Sequence, residues 1–219
     1  HKAFDAVTAV NNARDIGFEH LSIDLIYAVA GDTKELLQND LDTAFSLPID
    51  HLSAYALTIE EGTPFQETPQ MSQERLELTT WLFEAIAKRG FAQYEISNFG
   101  RYRSRHNLGY WQYKDYIGLG NGAVGFLEDT RYYPTASIVG YIADPLNIRE
   151  EQLSGDDIKT EKLFLGLRSI VGVDADILDL EEKKRADILV EEKKLHFDKG
   201  RYYNPDYLLS DELALFILT

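Results

Sequence analysis

The sequence predicts an α/β fold with a parallel sheet, followed by a small α+β unit, and three observations carry that reading. Over the first hundred residues helical and strand periodicities alternate, the pattern of crossover units laid on a parallel sheet. Residues 21–27 are almost continuously apolar, as a strand covered on both faces is. Beyond residue 155 the pattern becomes helices followed by a short hairpin, the order found in winged-helix-like units.

Each element has its own signal. Ala6, Ala9, Val10 and Ala13 share a helical face and Gly17 is a stop, so a first helix covers 3–16. The strand 21–27 holds one carboxylate, Asp24. Burying it unpaired is costly, so it is either hydrogen-bonded within the sheet or faces a ligand at the sheet's binding end. Asp32 and Glu35 have capping-box spacing, and Leu37, Leu41, Ala44 and Phe45 mark a second helix that stops before Pro48. A second strand follows over 52–59, with Thr58 and Glu60 near its C-terminal end, where functional groups of such sheets collect. Ser72 is placed to cap a third helix with the stripe Leu78, Leu82, Ala85 and Ile86, and Gly90 suits the left-handed residue after its end. A third strand is expected over 91–97. Three strands do not close a barrel, which takes about 250 residues when complete. The stretch is therefore a small open sheet or the later part of a larger one, and a start that lacks Met and enters a helix at once favours the second.

Residues 98–135 are rich in Gly and aromatics, and 142–157 have the polar composition of a connection. The expected organisation is βα units over 1–100, a glycine- and aromatic-rich extension over 101–155, and a C-terminal unit over 156–219. The last contains a helix around 162–169, a charged helix over about 181–193, a hairpin from 195–197 to 201–203, and a terminal helix beginning near Pro205 or Ser210.

Composition narrows the function classes. With 219 residues, 44% of them apolar and 12% aromatic, the chain can bury a core and is not disordered. Twenty-two Lys and Arg against 37 Asp and Glu give a net charge of -15, a field that repels nucleic-acid backbones and anionic headgroups. There is no cysteine, which removes disulfides, thiol nucleophiles and thiolate-held clusters from this chain and fits a reducing, cytoplasmic setting. No apolar run reaches the roughly 18 residues of a membrane span, and the first residues, His1 to Phe4, lack the pattern of a signal peptide.

The densest chemistry lies in Arg101-Tyr102-Arg103-Ser104-Arg105-His106-Asn107-Leu108-Gly109-Tyr110-Trp111-Gln112-Tyr113, with three arginines within five residues of an otherwise acidic chain. Guanidinium forks pair with carboxylates and phosphates, Tyr and Trp faces stack on conjugated rings, and the His106 imidazole can ligate a metal or haem iron. Such a set suits a planar, anionic, metal-bearing ligand; it equally suits a surface loop with a satisfied histidine and packed aromatics. Residues 120–125, Gly120-Asn121-Gly122-Ala123-Val124-Gly125, match the G-x-G-x-x-G spacing of a dinucleotide loop. The next segment, Phe126 to Tyr132, does not open an amphipathic helix, and the suitably spaced acid, Asp144, precedes Pro145, so the context is wrong for that role. These glycines serve a turn or a close backbone approach. His1, His20, His51 and His196 are scattered without ligand spacing and read as packing or surface residues. No G-x-S-x-G elbow, Walker loop or H-E-x-x-H is present.

Four segments together resemble a known family: Ser22-Ile23-Asp24-Leu25-Ile26-Tyr27; Leu57-Thr58-Ile59-Glu60-Glu61-Gly62-Thr63-Pro64-Phe65; Tyr94-Glu95-Ile96-Ser97-Asn98-Phe99; and His106-Asn107-Leu108-Gly109-Tyr110-Trp111. In order and spacing they are similar to the HemW-type haem chaperones, relatives of the oxygen-independent coproporphyrinogen III oxidases among the radical S-adenosylmethionine (SAM) proteins. The resemblance runs over almost the whole chain. Its most specific element, H-N-x-x-Y-W, belongs to the haem-binding branch, which ranks a chaperone that hands haem to acceptor haemoproteins above the alternative, an oxidase that decarboxylates coproporphyrinogen. The resemblance implies the later part of a partial (βα)6 barrel followed by a C-terminal domain. It also implies a [4Fe–4S] cluster and SAM in the full-length parent, the cluster being held by a C-x-x-x-C-x-x-C loop that this chain lacks. Asp24, Thr58 and Val124 match family positions that contact SAM. His106, a haem-iron ligand by this resemblance, forms the haem motif with Asn107, Tyr110 and Trp111, and Arg101, Arg103 and Arg105 are candidate partners for the propionates. Where the family has Tyr-Gly-x-Pro after the Asp-bearing strand, this chain has Tyr27-Ala28-Val29-Ala30, which is expected to lose a tight turn.

Overall fold

The computed structural model describes residues 2–219, so His1 lies outside the described residues. The chain forms two compact units, one ending at Arg103 and the other spanning Ser104–Thr219.

The first unit begins with helix α1 (Ala3–Ile16), whose C-cap Gly17 adopts the left-handed conformation the sequence suggests. Strand β1 (Ser22–Tyr27) comes next, then α2 (Lys34–Ser46), β2 (His51–Ala56), two short 3-10 turns, α3 (Leu76–Lys88), β3 (Ala92–Gln93) and β4 (Asn98–Gly100). The sheet order is β1-β2-β4-β3. β1 and β2 are parallel, with Asp24 opposite Ser53, and β4 runs antiparallel to both β2 and β3. The expected parallel sheet is therefore mixed. The single strand expected over 91–97 is instead two short strands joined by a turn at Tyr94–Ser97, because the carboxylate of Glu95 accepts the backbone N–H of Ser97 at 3.1 Å and bends the chain back. Leu37 and Leu41 of α2, Leu82 and Ile86 of α3, and Leu52, Ala54 and Phe99 of the sheet are buried together as the core of this unit.

Local expectations are corrected at three points. Thr33, not Asp32, caps α2, its hydroxyl accepting the N–H of Leu36 at 3.2 Å; Asp32 accepts the N–H of Val29 instead. Ser72 does not cap α3, whose N-cap is Arg75; its hydroxyl donates to the Leu57 carbonyl at 2.5 Å, and its backbone bridges Val29. β1 is not covered on both faces, since Ser22, Asp24 and Ile26 are exposed and Ile26 retains 57% of its surface. The turn after β1 survives the loss of glycine. Ala28 itself takes the left-handed conformation, φ 62°, which costs an L-residue about 1 kcal/mol.

The second unit opens with helix α4 (Arg105–Trp111), capped by the Ser104 hydroxyl, which accepts the N–H of Asn107 at 3.2 Å. A three-stranded antiparallel meander comes after it, β5 (Gly125–Leu127), β6 (Thr130–Pro134) and β7 (Ile148–Gln152), with α5 (Ile138–Ala143) in the β6–β7 connection. β7 lies inside the segment expected to be a connection. Its Arg149, Glu150 and Glu151 are polar yet pair along β6, because an antiparallel strand with one face in water tolerates charge. Glu128 and Asp129 both have positive φ, the signature of a tight two-residue hairpin turn.

The rest of the unit comprises α6 (Gly155–Leu167), β8 (Val173–Asp174), α7 (Leu180–Glu191), the hairpin β9 (His196–Asp198) and β10 (Arg201–Tyr203), and α8 (Ser210–Leu218). Capping boxes at Ser154 and Asp179 start α6 and α7. Leu163, Leu167, Leu189, Tyr202, Leu213 and Ile217 form its buried core. The order of helices followed by a hairpin wing is the one the sequence predicts.

Candidate functional site

Helix α4 displays the H-N-x-x-Y-W residues on more than one side. His106 and Tyr110, one turn apart, are both exposed and meet edge to face at 4.9 Å between ring centres. Tyr110 in turn meets Tyr116 at 4.7 Å, and Tyr113 and Tyr116 both contact the buried Phe126. An accessible imidazole therefore stands at the end of a run of aromatic rings anchored in the β5–β6 sheet. Asn107 is half-buried, and its backbone N–H serves the Ser104 cap. Trp111 faces elsewhere and lines a polar depression with Tyr113, Lys162, Asp174 and Arg201.

Tyr113 is fixed by a charged pair beneath it. Its hydroxyl donates to Glu161 at 2.7 Å, and Arg131 holds the other oxygen of Glu161 at 2.5 Å. Burial, and then the adjoining Glu161 carboxylate, push the Tyr113 phenol upward, so it stays a neutral donor. Arg101 stacks over the Phe91 ring at 5.4 Å, and its side chain, like those of Arg103 and Arg105, is exposed without an ion pair among the described residues.

Beside the aromatic run lies an apolar concavity of about 320 Å³, walled by Tyr116, Tyr132, Pro134, Tyr141, Leu146 and Ile148. Gly118 and Gly120 complete the wall. A side chain at Gly118 would collide with the Ala123 carbonyl, so glycine is what lets this loop fold back on itself. β5, not a helix, comes after the glycines. Val124 is half-buried between Ala123 and Gly125, both of which line the concavity. Sequence reasoning missed Tyr132, Tyr141, Leu146 and Ile148. Their signal was present: Ile138, Val139, Ile142, Leu146 and Ile148 are too many large aliphatic residues for a solvated connection.

In the first unit, Asp24 projects from β1 on the same sheet face as Ser53 and Asn98, its in-register neighbours. Thr58 lies beyond the end of β2, past Ser53, and lines a separate concavity of about 250 Å³ with Glu60, Phe65 and Met71. Asp24 is exposed, which removes the cost a buried carboxylate would carry. A polar chain crosses the same sheet face: Ser22 Oγ meets His51 Nδ1 at 2.7 Å, and His51 Nε2 meets Tyr94 Oη at 2.6 Å. Burial holds His51 below its ordinary pKa, so the ring is neutral in this chain of contacts. His20 stacks on Tyr102 and pairs with Asp50, and His196 stacks on Tyr203; among the described residues no group of three or more His, Cys, Asp or Glu forms a metal cage. Glu95, 1% exposed, has one oxygen without a partner among the described residues, as does Asn98.

The fold is that of a solved radical SAM enzyme. A solved structure described as "Coproporphyrinogen III oxidase (HemN) from Escherichia coli is a Radical SAM enzyme" superposes with a TM-score of 0.76 over 99% of this chain and 59% of that one, at 16% identity. Among the described residues the sheets are small and no closed barrel forms. Sequence likeness is narrower. "Heme chaperone HemW" of Lactococcus lactis is 31% identical over 226 residues, covering 94% of this chain and 60% of that protein. "Heme chaperone HemW" of Bacillus subtilis is 36% identical over 188 residues, covering 79% and 49%. A further relative, "Radical S-adenosyl methionine domain-containing protein 1, mitochondrial" of Danio rerio, is 34% identical over 134 residues, covering 57% and 30%. No protein-family profile matches the chain. The chain belongs to the HemW-type radical SAM proteins and spans about half the length of the curated relatives it matches.

Proposed function

We propose that this chain is the haem-capturing part of a haem chaperone that hands haem to acceptor haemoproteins in the cytoplasm. The observation that carries the reading is the exposed His106 imidazole on α4, within a complete H-N-x-x-Y-W motif, in a chain whose relatives are named haem chaperones. The residues fit the group: an accessible nitrogen ligand, Tyr110 beside it as an apolar ring, and nearby in sequence the cations Arg101, Arg103 and Arg105 for propionates. His106 is the proposed iron ligand, Tyr110 the proposed ring contact, and Asn107 the motif residue that joins α4 to its cap; Trp111, expected as a second ring contact, faces the separate depression with Lys162 and Arg201 and completes the motif only in sequence. The extension 101–155 carries the haem function in this reading, between the βα units of 1–100 and the C-terminal unit of 156–219.

Asp24, Thr58 and Val124 are the proposed SAM contacts of the parent. A [4Fe–4S] cluster does not fit this chain, because no cysteine is present to hold iron, so no radical step belongs to these residues. Among the described residues no helix is long and apolar enough to cross a membrane. The oxidase alternative rests on likeness of fold alone.

The test is a haemin titration of the chain beside its His106→Ala variant, followed by Soret absorbance. Saturable binding that is weakened tenfold or more in the variant, with a displaced Soret band, is expected. Identical titrations remove His106 from the site, and no binding by the parent chain removes the reading.

A further inference from the structure

The geometry points to the apolar concavity between the glycine-rich loop and the β5–β6–β7 meander as the seat of one edge of the porphyrin macrocycle, with the iron at its rim under His106. The inference rests on the haem reading above and adds the subsite. Its occupant is set by the lining. Tyr116, Tyr132 and Tyr141 supply flat faces, Pro134, Leu146 and Ile148 supply aliphatic surface, and no charged side chain lines the space. Such a wall takes a neutral, planar, apolar body and leaves carboxylates outside in water.

The position of the imidazole is consistent with this seat. Tyr116 forms a wall of the concavity and touches Tyr110, which touches His106, so the ligand nitrogen stands two ring contacts from the lining. The two steps are 4.9 Å and 4.7 Å between ring centres. About 320 Å³ holds part of a macrocycle and not all of it, which agrees with iron at the rim. Gly118 and Gly120 make this part of the wall backbone: Gly118 lets the loop fold back on Ala123, and the position of a Cβ at Gly120 is open space, which leaves room for an edge of the ring. Leu146, 82% exposed, has little packing to account for its presence and gains it once a ring is seated.

The test separates the seat from the ligand. Haemin and metal-free protoporphyrin IX are titrated against the chain and three variants: His106→Ala, Leu146→Glu in the lining, and Val139→Glu on α5, which is exposed and outside the lining. Leu146 and Val139 are both largely exposed, so neither variant disturbs the core. Protoporphyrin is expected to quench the fluorescence of the parent, His106→Ala and Val139→Glu chains at similar concentrations, and to need at least tenfold more for Leu146→Glu. Haemin binding is expected to weaken in both His106→Ala and Leu146→Glu. If Leu146→Glu binds both porphyrins as the parent does while His106→Ala loses haemin, haem capture stands and the concavity is not its seat. If Val139→Glu weakens binding as much as Leu146→Glu, the assignment of the seat is overturned. If the parent binds neither porphyrin, the haem reading falls and the seat with it.

Discussion

Glu95→Gln is expected to stabilise the first unit in alkaline solution and to do nothing in acid. Glu95 is 1% exposed, and its burial, offset only in part by the N–H groups of Ser97 and Asn98, pushes its pKa from 4.5 to about 7. At about 1.4 kcal/mol for each tenfold change in the equilibrium constant, the folded state bears about 3 kcal/mol when this carboxylate is charged. Below about pH 4.5 the group is protonated whether the chain is folded or not, and no penalty exists. Between 4.5 and about 7 the folded chain keeps a proton that the unfolded chain has released, so stability falls as pH rises. Above 7 both states are ionised and the full penalty is present. Glutamine is neutral throughout and nearly isosteric. The assay is urea unfolding at pH 4.5 and pH 8, read from Trp81 of α3 in a Trp111→Phe background, so that only the first unit is reported. At pH 8 the Glu95→Gln chain should gain up to about 3 kcal/mol over its parent. A gain of equal size at both pH values, or a loss at pH 8, would refute the argument that desolvation of a charge sets the cost.

Four other outcomes rest on geometry. Glu161→Ala strips Arg131 and the Tyr113 hydroxyl of their shared partner and should lower the stability of the second unit by about 2 kcal/mol, seen as a lower urea midpoint. Gly118→Ala drives a methyl group into the Ala123 carbonyl, so the loop should open, shown by faster amide exchange at residues 118–125 with little change at the α6–α8 core. Thr33→Ala removes the cap of α2 at a cost of about 1 kcal/mol in chemical unfolding. Ala28→Gly should be neutral or stabilising, because it relieves a left-handed alanine, whereas Ala54→Gly in β2, also buried, should lose about 1 kcal/mol; equal losses would argue against strain at Ala28.

Elements specified by local chemistry were legible in the sequence. The first helix, the stop at Gly90 and the hairpin of β9 and β10 are all encoded within a few residues of where they occur, whereas α6, expected around 162–169, starts at Gly155 on a Ser154 capping box inside the stretch expected to be a connection. The misread elements depend on contacts distant in the chain. Ser72 has the composition of a cap, yet a bridge to Val29 and a bond to Leu57 claim it first. β1 is apolar enough for a strand covered twice, but burial is decided by neighbours, and Asp24 emerges exposed. β4 turns antiparallel because the Glu95 carboxylate is drawn into the turn, which no periodicity records. At the candidate site, His106 and Tyr110 were visible as a motif, and helix α4, which sets them one turn apart, was not expected. Nor was the concavity beside them, since its walls come from a loop, three strands and a short helix.

The sheet of the first unit leaves one border open. β1 pairs with β2 on one side and with no strand among the described residues on the other. In the 219-residue chain taken alone, Ser22–Tyr27 has open amide and carbonyl groups along that border, in a segment rich in Ile and Leu, a template on which a second copy of this chain can add. Asp24 sits in the middle of that row, and two such edges brought together would set carboxylate near carboxylate. For the 219-residue chain taken alone, Asp24 is then a like charge that opposes edge-to-edge pairing, and exchanging it for valine would leave the sheet intact while removing that guard.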